Sequence, residues 1–486
     1  MGQEKFNILS FTGKMKTLHL SWMAFFITFV VWFNAAPLML AIKDSMGLTT
    51  EEVKTLLILN VALTIPARVI IGMLTDKYGP RIVYSTLLAV CSIPCFMFAL
   101  ATTFEQLAIA RFMMGLIGAG FVVGIRIVSE WFPANELGTA EGIYGGWGNF
   151  GSAAAAFTLP TVALLFGGED GWRYAIAITG LMSLLFSVVY YFNVTDTPKG
   201  ATYFRPKKGG AMEVTSKSDF YLLLFMKLPM YLTLGLLAWK LLQISMFTET
   251  TTNAIYIGLA VLYVFDCWKT YQVNSDIFVN DVPEIERYKF KQVAVLNVLY
   301  FSTFGSELAV ISMLPLFFAE TFGLGMAEAG MVAASYAFMN LMSRPGGGWI
   351  SDRFGRKKTL LILTAGLAVG YYAMSQITAA WSLPLAIATA MACSFFVQAG
   401  EGAVFAAVPM IKRRLTGQIA GMTGAYGNVG AVFYLTLYSI VSTQIFFYAI
   451  AITAVIGFMA LFFMEEPKGH IAEVDEDGKV TLINVS

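Results

Sequence analysis

The sequence predicts an all-α membrane protein whose chain crosses the bilayer many times. Of its 486 residues, 57% are hydrophobic and only 13% are charged, whereas soluble domains carry about 25% charged residues. The mean hydropathy is +0.68, and the apolar residues gather in runs of roughly 20, which is the length that spans a bilayer. These observations exclude a soluble enzyme, a disordered scaffold and a disulfide-stapled secreted domain.

Fourteen apolar segments are predicted to cross the membrane. They cover residues 18–42, 54–74, 82–102, 105–130, 138–166, 172–194, 219–246, 253–274, 292–319, 327–350, 357–377, 382–411, 416–441 and 443–464. Lys and Arg concentrate in alternate loops, at residues 77–81, 199–208, 287–291, 353–358 and 412–414. Because basic loops stay on the cytoplasmic side, we expect a multi-pass protein of the cytoplasmic membrane with both termini in the cytoplasm.

Charge and residue counts narrow the function classes further. The net charge is +1, so the chain has no basic excess for binding nucleic acid. Two His and four Cys residues offer little for a metal site, and the cysteines lie in apolar segments. The sequence contains neither a nucleotide-binding glycine loop nor a catalytic triad pattern. It therefore predicts no enzyme activity, no cofactor and no metal.

Two stretches of the chain repeat each other. Arg68-Val-Ile-Ile-Gly72-Met-Leu-Thr-Asp76-Lys-Tyr-Gly79-Pro-Arg81 matches Arg344-Pro-Gly-Gly-Gly348-Trp-Ile-Ser-Asp352-Arg-Phe-Gly355-Arg-Lys357. Both have Arg, Gly, Asp, Gly and a basic residue at the same spacing. Agreement of this kind indicates that the chain contains two related halves.

A second pair of stretches is rich in glycine. Gly142-Ile-Tyr-Gly145-Gly-Trp-Gly148-Asn149-Phe-Gly151 matches Gly421-Met-Thr-Gly424-Ala-Tyr-Gly427-Asn428-Val-Gly430. Glycine at every third position gives a helix face without side chains, along which another backbone can approach closely. These glycines are therefore expected to serve helix packing.

The repeats predict two six-helix halves related by a pseudo-two-fold axis along the membrane normal. In chain order we expect an N-terminal bundle, a linker region, a C-terminal bundle and an acidic cytoplasmic tail, at residues 1–194, 195–291, 292–464 and 465–486. The linker region contains an inserted transmembrane hairpin, at 219–246 and 253–274. The hairpin is expected to be a structural or assembly element.

These motifs resemble those of a known family. The doubled Gly-x-x-x-Asp-x-x-Gly loop, and Arg111-Phe-Met-Met-Gly115-Leu-Ile-Gly118-Ala-Gly120, resemble motifs of the major facilitator superfamily. The doubled Gly-x-x-Gly-x-x-Gly-Asn-x-Gly resembles the signature of its nitrate/nitrite porter family. The segment Gly305-Ser-Glu307-Leu adds to a resemblance of the chain to the cyanobacterial and plant high-affinity nitrate transporters. The resemblance covers both halves, excludes the inserted hairpin and the tails, and implies a major-facilitator fold.

Two arginines are the main candidates for substrate binding. Arg68 and Arg344 lie about 9 Å inside their predicted helix ends, at 1.5 Å per residue, where an unpaired charge is costly. Pseudo-symmetry predicts that they face one another across a cavity, and a planar guanidinium suits a planar oxyanion. The family's substrate arginines align with these two positions. The alternative is that each arginine pairs with a carboxylate of its own half.

The resemblance implies further pocket residues. Asn149 is expected to face the substrate and Asn428 is a second candidate for substrate contact. For both residues the alternative is hydrogen bonding to a neighbouring helix. The aromatic side chains expected to wall the anion are Phe33, Phe121, Tyr300 and Phe304.

Two acidic residues are candidates for proton coupling, Glu307 in the ninth span and Glu401 in the twelfth. A carboxyl group in a low-dielectric site can exchange a proton near neutral pH. For Glu307 the alternatives are an ion pair with Arg344 or Arg126, or a hydrogen bond in its protonated form.

A charge network is expected to lock one conformation near the cytoplasmic ends of the helices. Its predicted members are Asp76, Arg81, Arg126, Glu130 and Glu141 in the N-terminal half, and Asp352 and Arg356 in the C-terminal half.

The resemblance implies a secondary transporter that moves nitrate, and also nitrite, by alternating access for nitrate assimilation. Moving an anion into a negative-inside cell costs about 2.3 kcal/mol per 100 mV, so a proton symporter is expected. The alternatives are nitrate/nitrite exchange, transport of another small anion, and a transporter-like membrane sensor. The default expectation for the oligomeric state is a monomer in the lipid bilayer.

Overall fold

The chain folds into a bundle of long helices with one small β-hairpin near its C-terminal end. The computed structural model describes residues 6–49, 52–53, 56, 59–61, 63–243, 245, 247–324, 326–438, 440–474 and 480–485. Residues 475–479, which belong to the predicted tail, lie outside the described residues, as does the start of the second predicted span.

The described residues of the N-terminal part form helices α1 to α8. Their bounds are Gly13–Phe33 (α1), Met39–Met46 (α2), Thr64–Tyr78 (α3), Pro80–Leu100 (α4), Phe104–Met114 (α5), Gly120–Trp131 (α6), Ala134–Phe166 (α7) and Gly171–Asn193 (α8). The short 3-10 helix Gly115–Ala119 joins α5 to α6, so these two helices form one span.

The inserted hairpin and the C-terminal part form helices α9 to α18. Their bounds are Lys217–Gln243 (α9), Glu249–Asn274 (α10), Phe290–Ser302 (α11), Phe304–Phe322 (α12), Met326–Phe338 (α13), Asn340–Phe354 (α14), Arg356–Ser375 (α15), Leu383–Ala407 (α16), Thr416–Tyr438 (α17) and Thr443–Ala460 (α18). Tyr426 of α17 donates a hydrogen bond to the Met226 carbonyl of α9 at 2.6 Å, which anchors the hairpin to the bundle.

Twelve helical segments of the described chain are long and apolar enough to cross a membrane. The predicted spans at 327–350 and 416–441 coincide with α13–α14 and α17, which are not among these twelve. Helices α13 and α14 are short, with 13 and 15 residues. Both regions also carry many glycines and polar residues, which lowers their mean hydropathy. The count of fourteen spans therefore stays a prediction.

The two halves meet through close backbone contacts between pseudo-symmetric helices. Helix α14 packs along α7, and α17 packs along α3. Gly348 of α14 meets the backbone of Gly138 in α7, while Gly72 of α3 meets the backbone of Gly417 in α17. Only glycine leaves room for such an approach, because a Cβ at Gly348 or Gly72 would fall on the opposite carbonyl.

The linker and the tail fold back onto the loop before α17. Strands β1 (His470–Val474) and β2 (Val480–Asn484) form an antiparallel pair that the all-α prediction did not include. Buried Glu473 lies 3.7 Å from Lys412 Nζ, and Glu213 of the linker pairs with Arg414 at 3.0 Å. Burial lowers the pKa of the Lys412 ammonium, and Glu473 opposes that shift. Part of the predicted acidic tail is therefore structured.

Replacing Gly348 with Ala should separate the halves, because the new methyl group collides with the Gly138 carbonyl. Gly346, in the same helix, has nothing within 4 Å of the place where a Cβ would lie, so Ala there should raise stability by up to about 1 kcal/mol through helix propensity. We expect Gly348→Ala to lower the apparent thermal midpoint of the purified protein and Gly346→Ala to leave it unchanged or higher. Equal shifts would contradict this packing.

Candidate functional site

Arg68 of α3 and Arg344 of α14 meet at the centre of the bundle, where they are 1% and 2% exposed. Their Cζ atoms lie 5.6 and 5.2 Å from the centre of one ring, that of Phe121. The distances to the ring of Phe304 are 5.1 and 6.0 Å. The structure therefore places both arginines between the same two aromatic walls, which come from opposite halves.

The two arginines differ in how their charge is balanced. Arg344 Nη1 lies 2.7 Å from Glu401 Oε2, and its Nη2 donates to the Tyr300 hydroxyl at 2.9 Å. Arg68 instead donates to two backbone carbonyls, those of Gly118 at 3.1 Å and Gly424 at 2.7 Å. Pairing with a carboxylate of the same half therefore holds for Arg344, whereas the described residues place no carboxylate in an ion pair with Arg68.

Tyr300 and Phe405 complete the aromatic surroundings. The Tyr300 ring stacks on Phe304 at 5.1 Å and on Phe121 at 6.4 Å. Phe405 of α16 meets Phe121 and Tyr300 edge-on, at 4.5 and 4.7 Å. Sequence reasoning missed Phe405 because nothing distinguishes it among forty phenylalanines.

In α1 the structure brings Trp32, rather than the predicted Phe33, over Arg68. The Trp32 ring lies 6.0 Å from Arg68 Cζ. Phe33 instead packs on the rings of Phe29 and Trp32, at 5.5 and 5.2 Å. Adjacent residues on a helix point about 100° apart, so the prediction selected the neighbouring helix face.

The glycine repeats accommodate the arginine of the opposite half. A Cβ at Gly145 in α7 would lie 2.7 Å from Arg344 Nε, and a Cβ at Gly424 in α17 would lie 3.1 Å from Arg68 Cδ. The other repeat glycines border backbone or aromatic rings of adjacent helices: Gly142, Gly148, Gly151, Gly421, Gly427 and Gly430. The repeats therefore bring each half against the arginine helix of the other.

Asn149 and Asn428 are buried within these repeats. Asn428 Nδ2 donates to the Gly424 carbonyl at 3.2 Å, the same carbonyl that accepts from Arg68. The Oδ1 atoms of both asparagines lack a hydrogen-bond partner among the described residues. Asn428 is thus linked to the arginine centre through one carbonyl, and the structure gives no such link for Asn149.

Glu307 and Glu401 form a buried pair of carboxyl groups beside Arg344. Glu307 Oε1 accepts from Asn340 Nδ2 at 2.5 Å and from Gln398 Nε2 at 3.2 Å, while its Oε2 has no partner among the described residues. The Glu307 and Glu401 carboxyl groups are close enough for their charges to interact. Among the described residues, Glu307 makes no ion pair with Arg344 or Arg126. Arg344 pairs with Glu401 instead, and Arg126 pairs with Asp76 and Glu130.

Two aspartates fasten the halves together at one end of the bundle. Asp76 accepts from the backbone N–H groups of Gly417 and Gln418, both at 2.8 Å. Asp352 accepts from those of Gly138 and Thr139, at 2.8 and 2.7 Å. Asp76 thus caps the first turn of α17, where the helix dipole favours negative charge, and Asp352 binds two backbone N–H groups in the second turn of α7.

The predicted charge network forms around these aspartates in part. Arg126 lies 3.4 Å from Asp76 and 3.1 Å from Glu130. Arg356 pairs with Asp352 at 2.7 Å. These contacts reinforce the two inter-half caps.

Two predicted members of the network take other positions. The Arg81 guanidinium stacks on Tyr191, with 4.6 Å from Cζ to the ring centre, and its backbone N–H donates to Asp196. Burial raises the pKa of that Asp196 carboxyl, and its contacts with Arg81 oppose the shift. Both carboxylate oxygens of buried Glu141 lack a hydrogen-bond partner among the described residues. The sequence spacing that suggested both residues does not determine which way their side chains point.

Comparison with known proteins agrees with this architecture. The family model of the Major Facilitator Superfamily matches residues 21–266 and 296–484. The chain is 48% identical to the nitrate/nitrite transporter NrtP of Picosynechococcus sp., and 48% identical to NrtP of Nostoc punctiforme. Each match covers 96% of this chain and 96% of the relative.

The fold is also shared with a solved structure. The human organic anion transporter MFSD10 superposes with a TM-score of 0.63 at 10% identity, covering 93% of this chain and 100% of that one. An identity this low establishes the fold alone, and it confirms the predicted major-facilitator architecture. The chain therefore belongs to the Major Facilitator Superfamily and, within it, to the family of the two NrtP nitrate/nitrite transporters.

Proposed function

We propose that this protein is a secondary transporter that carries nitrate, and also nitrite, by alternating access, with Arg68 and Arg344 as the anion-binding residues. The observation that carries the proposal is the pair of buried guanidinium groups between the rings of Phe121 and Phe304. Only one carboxylate forms an ion pair with them in the described chain, so the centre favours a small anion. The NrtP relatives bear the name of nitrate/nitrite transporters.

The chemistry of the site fits a planar oxyanion. Guanidinium groups offer a flat fork of N–H donors, and the parallel rings of Phe121, Tyr300 and Phe304 would sandwich a flat ligand. A larger organic anion would have to displace the aromatic walls.

Alternating access follows from where the halves are joined. The site is closed, since both arginines are almost fully buried, and Asp76 and Asp352 join the halves at the end bearing the basic loops. We propose that this end faces the cytoplasm and that the halves, 1–194 and 292–464, rock about the arginines. Breaking the aspartate caps would open the cytoplasmic side.

We further propose that uptake is coupled to protons. A bare anion entering a negative-inside cell works against about 2.3 kcal/mol per 100 mV, and the Glu307–Glu401 pair supplies a group able to carry a proton in the site. Nitrate/nitrite exchange is the second candidate, because it moves like charges in both directions and needs no proton carrier.

Exchanging either site arginine for Lys should weaken nitrate binding. Hydrogen bonds to charged groups contribute about 1.5–3 kcal/mol, which corresponds to roughly a 10-fold to 100-fold increase in Kd, and Lys lacks the planar fork. Arg353→Lys is the matched control, because Arg353 lies in α14 with Arg344 but faces the Trp349 ring. Titration of purified variants with nitrate measures the effect. Normal affinity in Arg68→Lys and Arg344→Lys would remove the arginines from the site.

Replacing Tyr300 with Phe keeps the stacked ring and removes the hydroxyl that holds Arg344. Hydrogen bonds from a charged donor contribute about 1.5–3 kcal/mol, so we expect KM for nitrate uptake to rise about tenfold or more with kcat retained. Tyr190→Phe, which removes a buried hydroxyl bonded to Ser21, should leave KM unchanged. Similar KM values in both variants would show that Tyr300 does not position Arg344 for binding.

Glu307→Gln separates proton-coupled uptake from exchange. Gln keeps the carbonyl oxygen that accepts from Asn340 and Gln398 but cannot carry a proton. We expect it to reduce the external alkalinisation that accompanies nitrate uptake, because Glu401 loses the neighbouring carboxyl group that favours its protonation, while nitrate/nitrite exchange continues. If proton movement on nitrate addition persists unchanged in this variant, Glu307 has no part in coupling.

A further inference from the structure

Glu401 holds the position on Arg344 that an anionic substrate would take. Its carboxylate meets Nη1 of Arg344 at 2.7 Å, while Nη2 is bound to Tyr300 at 2.9 Å. Glu401 is fully buried, and neither of its oxygens has another hydrogen-bond partner among the described residues. Among the described residues, its ion pair is therefore with the group that the anion needs.

We propose that Glu401 is an internal competitor of the substrate: its carboxylate occupies Arg344 in the empty carrier, and nitrate replaces it only when Glu401 takes up a proton. This inference rests on the proposed function and specifies how the site is regulated. The proton comes from water on the open side and forms an O–H bond with a Glu401 oxygen. No other covalent bond forms or breaks.

Glu307 is placed to share that proton. Asn340 and Gln398 both donate to its Oε1, which leaves Oε2 as the unbonded oxygen. The Glu307 and Glu401 carboxyl groups are close enough for their charges to interact, and two neighbouring buried carboxylates cannot easily be charged together. Asn340 and Gln398 are thus positioning residues, because they fix which oxygen of Glu307 stays available.

The charge balance gives the stoichiometry of this step. In the empty site, two guanidinium charges face one carboxylate, since the carboxyl pair shares one proton, and the sum is positive by one. With nitrate bound and both carboxyls protonated, the anion replaces the lost carboxylate charge and the sum is the same. Binding one nitrate therefore takes up one proton at this site.

Every titratable or charged group facing Glu401 enters this balance. These are Arg344 of α14, Arg68 of α3, Glu307 of α12 and Tyr300 of α11, with Tyr336 of α13 next to Glu307. The arginines keep their charge and the buried tyrosines keep their protons at neutral pH. Glu401 is left as the group that takes up the proton in this proposal.

Calorimetric titration of the purified protein with nitrate, in buffers of different ionisation enthalpy, counts the protons taken up per anion. We expect close to one proton for the wild type, with Kd rising by up to about tenfold per pH unit above the titration of the pair. Glu401→Gln should bind nitrate more tightly, without proton uptake and without pH dependence. Glu473→Gln, a control at a buried carboxyl in the tail, should behave as the wild type.

Several outcomes separate the failure of this inference from that of the proposed function. Nitrate binding without proton uptake in the wild type, or a pH-independent wild-type Kd, would overturn the role of Glu401 and leave nitrate transport standing. The role of Glu401 would also be overturned if the Glu401→Gln variant is monodisperse and still takes up a proton on binding nitrate, or if it binds nitrate more weakly than the wild type. Folded wild-type protein that does not bind nitrate would refute the proposed function itself. If Glu401→Gln does not fold, the wild-type proton count and pH dependence decide.

Discussion

Two permanent positive charges buried in an apolar bundle are the constraint on which the rest of this structure depends. Arg68 and Arg344 cannot lose their charge, so the surrounding fold must offset it. Aromatic faces, backbone carbonyls and a single carboxylate do so, and the glycine repeats let the helices approach closely enough to supply them. In the proposed function, the same incomplete balance makes the centre receptive to an anion.

The pseudo-symmetry of the chain is broken at the residues that contact Arg68 and Arg344. Ala119 stands between Gly118 and Gly120 much as Glu401 stands between Gly400 and Gly402. Arg68 therefore meets the Gly118 carbonyl, whereas Arg344 meets a carboxylate. One arginine thus lies without a carboxylate partner among the described residues, while the other pairs with Glu401, and the proposed proton coupling depends on this difference.

Much of this arrangement could be predicted from the sequence, because the repeated motifs place residues on particular helix faces. The arginines, Phe121, Tyr300 and Phe304 lie together as expected. Pairing of each arginine with a carboxylate of its own half was predicted only as an alternative, and Glu401 was not identified as the partner of Arg344. Choosing Trp32 over Phe33 requires the rotation of α1, which neighbouring helices determine. The small β-sheet was missed because its strands are short and depend on contacts with Lys412, which is distant in sequence.

The central claim is that the arginine centre moves nitrate together with protons. The most direct test is nitrate accumulation in proteoliposomes that contain purified protein, have no internal nitrite, and carry an imposed inward proton gradient. The account predicts that internal nitrate rises above its external concentration and that collapsing the gradient abolishes the rise. Uptake that occurs only with nitrite inside would contradict proton coupling, and no uptake by folded protein under either condition would contradict the assignment of nitrate.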